Sequence, residues 1–321
     1  VNAVVNGCGT ITRTWSTTDY CGNAVAATQV LTVIDTVAPV LVGIPADTTV
    51  ACDAIPAPAI VTATDNCDST MIVTFSQIVS VTNGCDSIIR TWTTTDYCGN
   101  TVSATQILSV IDTVPPVLIG VPADTTVPCD NIPLPPIVTV TDNCDTTMVV
   151  VFSEVNAVVN GCGTITRTWS TTDFCGNPVT ATQVLTVIDT VAPVLVGVPA
   201  DATVPCDNIP VPAVVTATDN CDSTIIVLFS EVNNVTLGCG TITRTWTTTD
   251  YCGNSVTATQ ILTVIDTVAP VLVGVPADAT VPCDNIPVPA VVTATDNCDS
   301  TMIVSFSEVN AVVNGCGTIT R

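Results

Sequence analysis

Two short segments hold the residues whose types and spacing could do chemistry. Thr64-Asp65-Asn66-Cys67-Asp68 returns letter for letter at 141–145, 218–222 and 295–299, and Asp96-Tyr97-Cys98-Gly99-Asn100 has counterparts at 173–177 and 250–254. A third acid lies in each Ile-Asp-Thr-Val segment, at Asp35, Asp112, Asp189 and Asp266. Carboxylates gathered without cationic neighbours repel one another, and a hard divalent cation with six to eight oxygen ligands relieves that repulsion. The candidate calcium ligands are Asp35, Asp65, Asp96 and Asn100; Asp112, Asp142, Asp173 and Asn177; Asp189, Asp219, Asp250 and Asn254; and Asp266 with Asp296. The competing account is local, since Asp and Asn side chains hydrogen-bond nearby backbone amides in turns. Asp68, with its counterparts Asp145, Asp222 and Asp299, suits that capping role better. No EF-hand pattern is present.

The second reactive set is cysteine. Seventeen are present, at 8, 21, 52, 67, 85 and 98 and onward at the same spacing. No C-x-x-C pair occurs and histidine is absent, which argues against zinc. Regular cysteines in small β-rich units read as disulfides, hence an oxidising compartment outside the cytoplasm. The same inventory argues against an enzyme: no histidine, no lysine, and no G-x-S-x-G or other nucleophile arrangement. Twenty-eight acids against five bases, all arginine, leave a net charge of −23, which repels nucleic acid and anionic membrane and attracts cations. No run approaches the roughly 18–20 apolar residues of a membrane span.

The elements that must position these groups follow from a fixed period. The TDNCD cysteines, Cys67, Cys144, Cys221 and Cys298, stand at one constant interval, and residues 1–13 recur identically at 309–321. Such self-similarity, here with a period of roughly 77 residues, marks tandem copies of one unit. Each copy is rich in Val, Ile and Thr and punctuated by Pro, Gly, Asn and Asp, so short strands joined by turns are expected and helices are not. Within one copy the expected strands are 39–43, 48–52, 59–63, 70–76, 87–95 and 101–112. In SIIRTWTTT, the side chains of Ile88, Arg90, Trp92 and Thr94 share one face by the period of two. Proline in the linkers interrupts strand pairing and marks boundaries after Thr36, Thr113, Thr190 and Thr267. The expected organisation is 1–36 as the C-terminal part of a repeat, whole repeats at 37–113, 114–190 and 191–267, and 268–321 as the N-terminal part of another. The chain reads as a window of a longer one. Six or seven strands in a unit of this size suggest a small immunoglobulin-like β-sandwich, all-β and repeated as beads on a string.

The ordered motifs DTxxP, ADTTV, TATDNxD and RTWTTTDxxGN, followed by a Thr/Val-rich strand, resemble the hyalin-repeat (HYR) domain. They resemble more closely its cysteine-containing version, found in tandem in surface proteins of Bacteroidota. The resemblance covers the whole chain. It implies immunoglobulin-like adhesive or spacer modules, some of them in very long adhesins that include gliding-motility ones. Other tandem bacterial immunoglobulin-like adhesins place calcium at similar D-T-x-A-P linkers.

Two disulfide patterns fit each repeat: neighbours (Cys52–Cys67, Cys85–Cys98) or crossed. An extended strand between Cys85 and Cys98 holds them ~30 Å apart, against the ~7 Å Cα limit of a disulfide. The crossed pattern is therefore expected: Cys52–Cys85, Cys67–Cys98, Cys129–Cys162, Cys144–Cys175, Cys206–Cys239, Cys221–Cys252 and Cys283–Cys316. Cys67 and Cys98 would meet at one pole of the sandwich, Cys52 and Cys85 at the other. The expected function is the structural stalk or filament region of a long extracellular bacterial surface protein, with further copies of the repeat as partners. The alternative is ligand- or glycan-gripping repeats in cell attachment or gliding. The D-[ST]-apolar triplets, such as 35–37 and 112–114, resemble an O-glycosylation signal of Bacteroidota. Arg90 and Trp92 are expected to pack inside the unit, and Glu154, Glu231 and Glu308 to pair with Arg167, Arg244 and Arg321.

Overall fold

Strand patterning of this kind builds paired sheets, and the computed structural model, which describes residues 1–314 and 316–321, contains strands and no helix among them. The chain is an all-β series of tandem immunoglobulin-like units. It divides into two compact units. One comprises Val1–Asp124, Leu134–Val155 and Thr166–Val184; the other comprises Thr125–Pro133, Asn156–Ile165 and Leu185–Arg321.

The first unit holds one whole copy of the repeat. Its four-stranded sheet runs Thr48–Ala51, Thr101–Ile111, Asp86–Thr95, Thr74–Val79, with the first pair parallel and the others antiparallel. A two-stranded antiparallel sheet, Val40–Val42 with Thr62–Thr64, completes the copy. The expected face of the central strand is the buried one: Ile88, Arg90, Trp92 and Thr94 are each at most 3% exposed. Ile88 packs with Leu108 and Val110 against Val50, Cys52 and Val81, and Trp92 meets Phe75 at 5.4 Å between ring centroids.

Burying Arg90 requires acceptors for its guanidinium. Nε donates to Gln77 at 3.0 Å, and the terminal nitrogens donate to the carbonyls of Pro56 and Ala57. This explains a departure from the expected strands. The stretch 59–63 forms a strand only over Thr62–Thr64. The preceding Pro56 and Pro58 have no N–H to give to a ladder, and the buried arginine holds their segment instead. Likewise, the strand placed at 70–76 begins at Thr74 and continues to Val79.

The second unit repeats the design. Its sheet runs Ala202–Pro205, Ser255–Ile265, Cys239–Thr249, Val227–Thr236. Ile242, Leu262 and Val264 form one core, and Val127, Ile165, Leu185 and Val187 form another. The arginine now has an acid partner: Arg244 lies 2.8 Å from Glu231, as Arg167 lies 2.8 Å from Glu154 in the first unit and Arg321 2.7 Å from Glu308 in the second. These pairings and the internal packing of arginine and tryptophan agree with the sequence. No helix among the described residues is long and apolar enough to cross a membrane, which says nothing of strand-built spans.

Candidate functional site: disulfide junctions and acidic clusters

The hairpin linking Thr74–Val79 to Asp86–Thr95 turns through Asn83 and Gly84, both at positive φ (44° and 90°). Its tip faces residues of the following repeat. A Cβ on Gly84 would stand 2.6 Å from the Cβ of Cys144, so both the left-handed backbone and the close approach demand glycine. Asn83 donates its amide to the Thr147 hydroxyl at 2.8 Å. Gly161 and Asn160 do the same toward Cys221 and Thr224 in the second unit.

This approach corrects the disulfide pairing. Cys85 bonds Cys175 and Cys52 bonds Cys144, at Cα separations of 5.7 and 6.2 Å. Cys8 bonds Cys98 in the same way. The second unit contains Cys129–Cys221, Cys162–Cys252 and Cys206–Cys298. None of the expected pairs Cys52–Cys85, Cys67–Cys98, Cys129–Cys162, Cys144–Cys175, Cys206–Cys239, Cys221–Cys252 and Cys283–Cys316 forms. Cys21, Cys67, Cys239, Cys283 and Cys316 are unpaired and exposed. The physical reason is that Cys52 and Cys85 do lie together at one end of a copy and Cys144 and Cys175 at the facing end of the next. Docking those ends offers each sulfur a partner across the junction. Every bridge spans 90 or 92 residues and joins consecutive copies.

The acids converge at the same places. One oxygen each from Asp35, Asp65 and Asp96 lies within 4.8 Å of the others, and Asp112, Asp142 and Asp173 form an equivalent group. Asp112 also lies within that distance of the Cys52 and Cys144 sulfurs, as Asp189 does of Cys129 and Cys221. Part of each carboxylate is committed to the backbone. Asp112 Oδ1 accepts from Val114 N, Asp142 Oδ1 from Cys144 N and Asp145 N, and Asp173 from both nitrogens of Asn177. Asp145 is fully occupied, accepting from Thr147 and from Phe174 N, so it caps and does not join the cluster. Hydrogen bonds of this kind hold Asp145 and Asp222 below the usual carboxylate range, with the Thr147 and Thr224 amides the largest cause.

What remains is unpaired. The Oδ2 atoms of Asp35, Asp65, Asp112, Asp142, Asp189, Asp219 and Asp296 are buried with no hydrogen-bond partner. Asp112 and Asp189 are only 6% exposed as whole residues. Burial and the neighbouring Asp219 and Asp250 push the Asp189 carboxyl up. Buried, unsatisfied carboxylate oxygens are costly in isolation. An all-oxygen set of this kind fits a hard cation in donor chemistry. The asparagines present nitrogen: Asn177 Nδ2 donates to the Asp112 carbonyl and to Asp173 Oδ2, and Asn100 and Asn254 behave alike. Sequence reasoning brought the three acids together and missed the Asn-Gly tip, although Asn83-Gly84-Cys85 and Asn160-Gly161-Cys162 were readable as a turn next to cysteine.

Comparison with known proteins matches part of the chain to a family model. Residues 118–187 and 194–264 each match the family model "HYR-like domain with 4 cysteines", in tandem. No curated protein sequence matches the chain. Solved structures with similarity include the protocadherin gammaB4 extracellular domain (15% identity, TM-score 0.29, 79% of this chain and 56% of that one). Another is the protocadherin gammaB7 EC3-6 cis-dimer (15%, 0.30, 79% and 84%), and a third is Drosophila N-cadherin EC1-4 (13%, 0.26, 79% and 83%). The chain thus spans about half the length of the first of these. The chain carries two tandem matches to the model of an HYR-like domain with four cysteines, which together cover less than half of it.

Proposed function

We propose that these repeats form the structural region, a stalk or filament, of a long extracellular bacterial surface protein or adhesin. The domains would be 37–113, 114–190 and 191–267, each joined to its neighbours within the same chain. The observation that supports this best is the set of disulfides running between consecutive copies. Crosslinks of that kind need an oxidising location and serve a series of units, not a single one. The module is non-enzymatic in this reading. Calcium belongs to the reading too, held by Asp35, Asp65 and Asp96, by Asp112, Asp142 and Asp173, by Asp189, Asp219 and Asp250, and in part by Asp266 and Asp296. The buried unpaired oxygens support it.

Immunogold electron microscopy of the source cells with an antibody against the repeat tests the proposal. Label along surface-attached filaments is the expected result; label confined to the cell interior would overturn it. A second reading, attachment to glycan or another cell through the repeats, has one observation in its favour. Each of the four copies that include this turn exposes an aromatic ring there: Tyr20, Tyr97, Phe174 and Tyr251. Retention on a glycan array that is lost on Tyr97→Ala and Tyr251→Ala would favour it over a passive stalk.

A further inference from the structure

The six disulfides do more than hold neighbours together, because their loops overlap. Cys8–Cys98, Cys52–Cys144, Cys85–Cys175, Cys129–Cys221, Cys162–Cys252 and Cys206–Cys298 form a series in which each loop opens before the previous one has closed. All residues between Cys8 and Cys298 therefore lie inside at least one covalent loop. A pull on the chain ends follows the shortest covalent path, and that path is not the backbone in sequence order.

From Cys8 the path crosses to Cys98, runs back along the chain to Cys85, and crosses to Cys175. It then runs back to Cys162 and crosses to Cys252. Each period thus contributes only one short backbone segment to the path, such as Cys85–Cys98. A second path uses the other cysteines: Cys52 to Cys144, back to Cys129, to Cys221, back to Cys206, to Cys298. Its contribution per period is the slightly longer segment Cys129–Cys144 or its counterpart Cys206–Cys221. In the first path, the 85–98 backbone is mostly the central strand Asp86–Thr95, already extended between two neighbours. A strand rises about 3.3 Å per residue, against a limit of about 3.6 Å for a taut chain, so almost no slack remains.

We infer that the repeats act as a two-railed covalent tether, which carries tension with little extension even where domain packing gives way. Along either rail the rest of each period hangs free of the load, and backbone outside the two segments carries tension only where the path changes rails, as between Cys175 and Cys206. This deepens the proposed structural role and rests on it for physiological meaning, but the tether itself rests only on the disulfide map.

Single-molecule force spectroscopy of the whole chain, held at its two termini with and without dithiothreitol, tests it. The shortest oxidised path runs Val1 to Cys8, across to Cys98, back to Cys85, across to Cys175, on to Cys206, and across to Cys298 and the C-terminus. Its taut length is about a quarter of the full chain contour. The expected result is an oxidised chain that stops lengthening near that quarter and a reduced chain that reaches the full contour. Crosslinks within repeats would let the oxidised chain reach more than half of the contour, and that result would overturn the tether while leaving an extracellular repeat protein intact. Equal contours with and without reductant would overturn it as well. A confirmed tether on a protein found inside cells would instead sink the stalk reading alone.

Discussion

At the residue scale, the junction carboxylates have two opposite electrostatic characters. Asp222 is held below the ordinary range by the Thr224 amide. A carboxyl lowered in the fold stabilises it above the unfolded value, and that contribution is lost as pH falls through the folded one. Asp189 is raised, chiefly by burial. Its contribution is present below the unfolded value and lost as pH rises through the folded one, so its charge destabilises the fold at neutral pH. Asp189→Asn keeps the Oδ1 acceptor used by Val191 N and removes the charge. At pH 7 in chelator, calorimetry should show its melting temperature about 2–4 °C above the parent. With millimolar calcium the order should reverse if the proposed site binds the ion, because the substitution removes one of its ligands; the expected affinity is on the order of 10⁻⁴–10⁻³ M. A variant less stable in both conditions would remove both the repulsion and the ion from the account of Asp189.

At the element scale, the hairpin tip is the piece that makes a junction. Gly161→Ala would put a methyl 2.7 Å from the Cys221 Cβ at a φ of +88°. The backbone strain alone is worth about 1–2 kcal/mol. Alkylation under non-reducing conditions should then find Cys129, Cys221, Cys162 and Cys252 reactive in a fraction of the molecules, whereas the parent keeps them blocked. Full protection in the variant would show that the tip does not control closure.

The same elements explain what was legible in the sequence. The Ile88-Arg90-Trp92-Thr94 face and the returning strand follow from alternation alone, and both form as read. The meeting of linker, TDNCD loop and DYCGN turn was also readable, because all three lie at one end of a copy. Cysteine pairing was not. The rules of reach within one repeat place Cys52 near Cys85, but the choice of partner depends on the next copy's docked end. Nothing in the spacing of the cysteines along the chain encodes that contact. The short strand at Thr62–Thr64 departs from the expected 59–63 for a related reason, since the arginine that holds the proline segment acts from a distant strand.

At the scale of the whole molecule, stability is shared between neighbours. A loop of 90 residues is worth about 4–5 kcal/mol in the chain-entropy model, and each internal junction has two. The segment 114–190 expressed alone has four cysteines whose partners all lie in other copies. It should titrate with four reactive thiols and unfold at lower denaturant than the same segment within 37–267. A single copy with two internal bridges and unchanged stability would contradict this.

The long span of each bridge also dictates a timetable for making the protein. Cys52 has no partner until Cys144 has been synthesised, so a growing chain always trails roughly one repeat of open thiols. Near-identical copies make this hazardous, because Cys221 sits in the next copy's identical TDNCD segment and is chemically as good a match for Cys52 as Cys144 is. Emergence in order would remove the ambiguity, because the correct loop is made a full repeat before its double. Refolding the finished, reduced chain abolishes that head start. The order of birth, absent from the folded state, would then be part of the information that selects these six bridges.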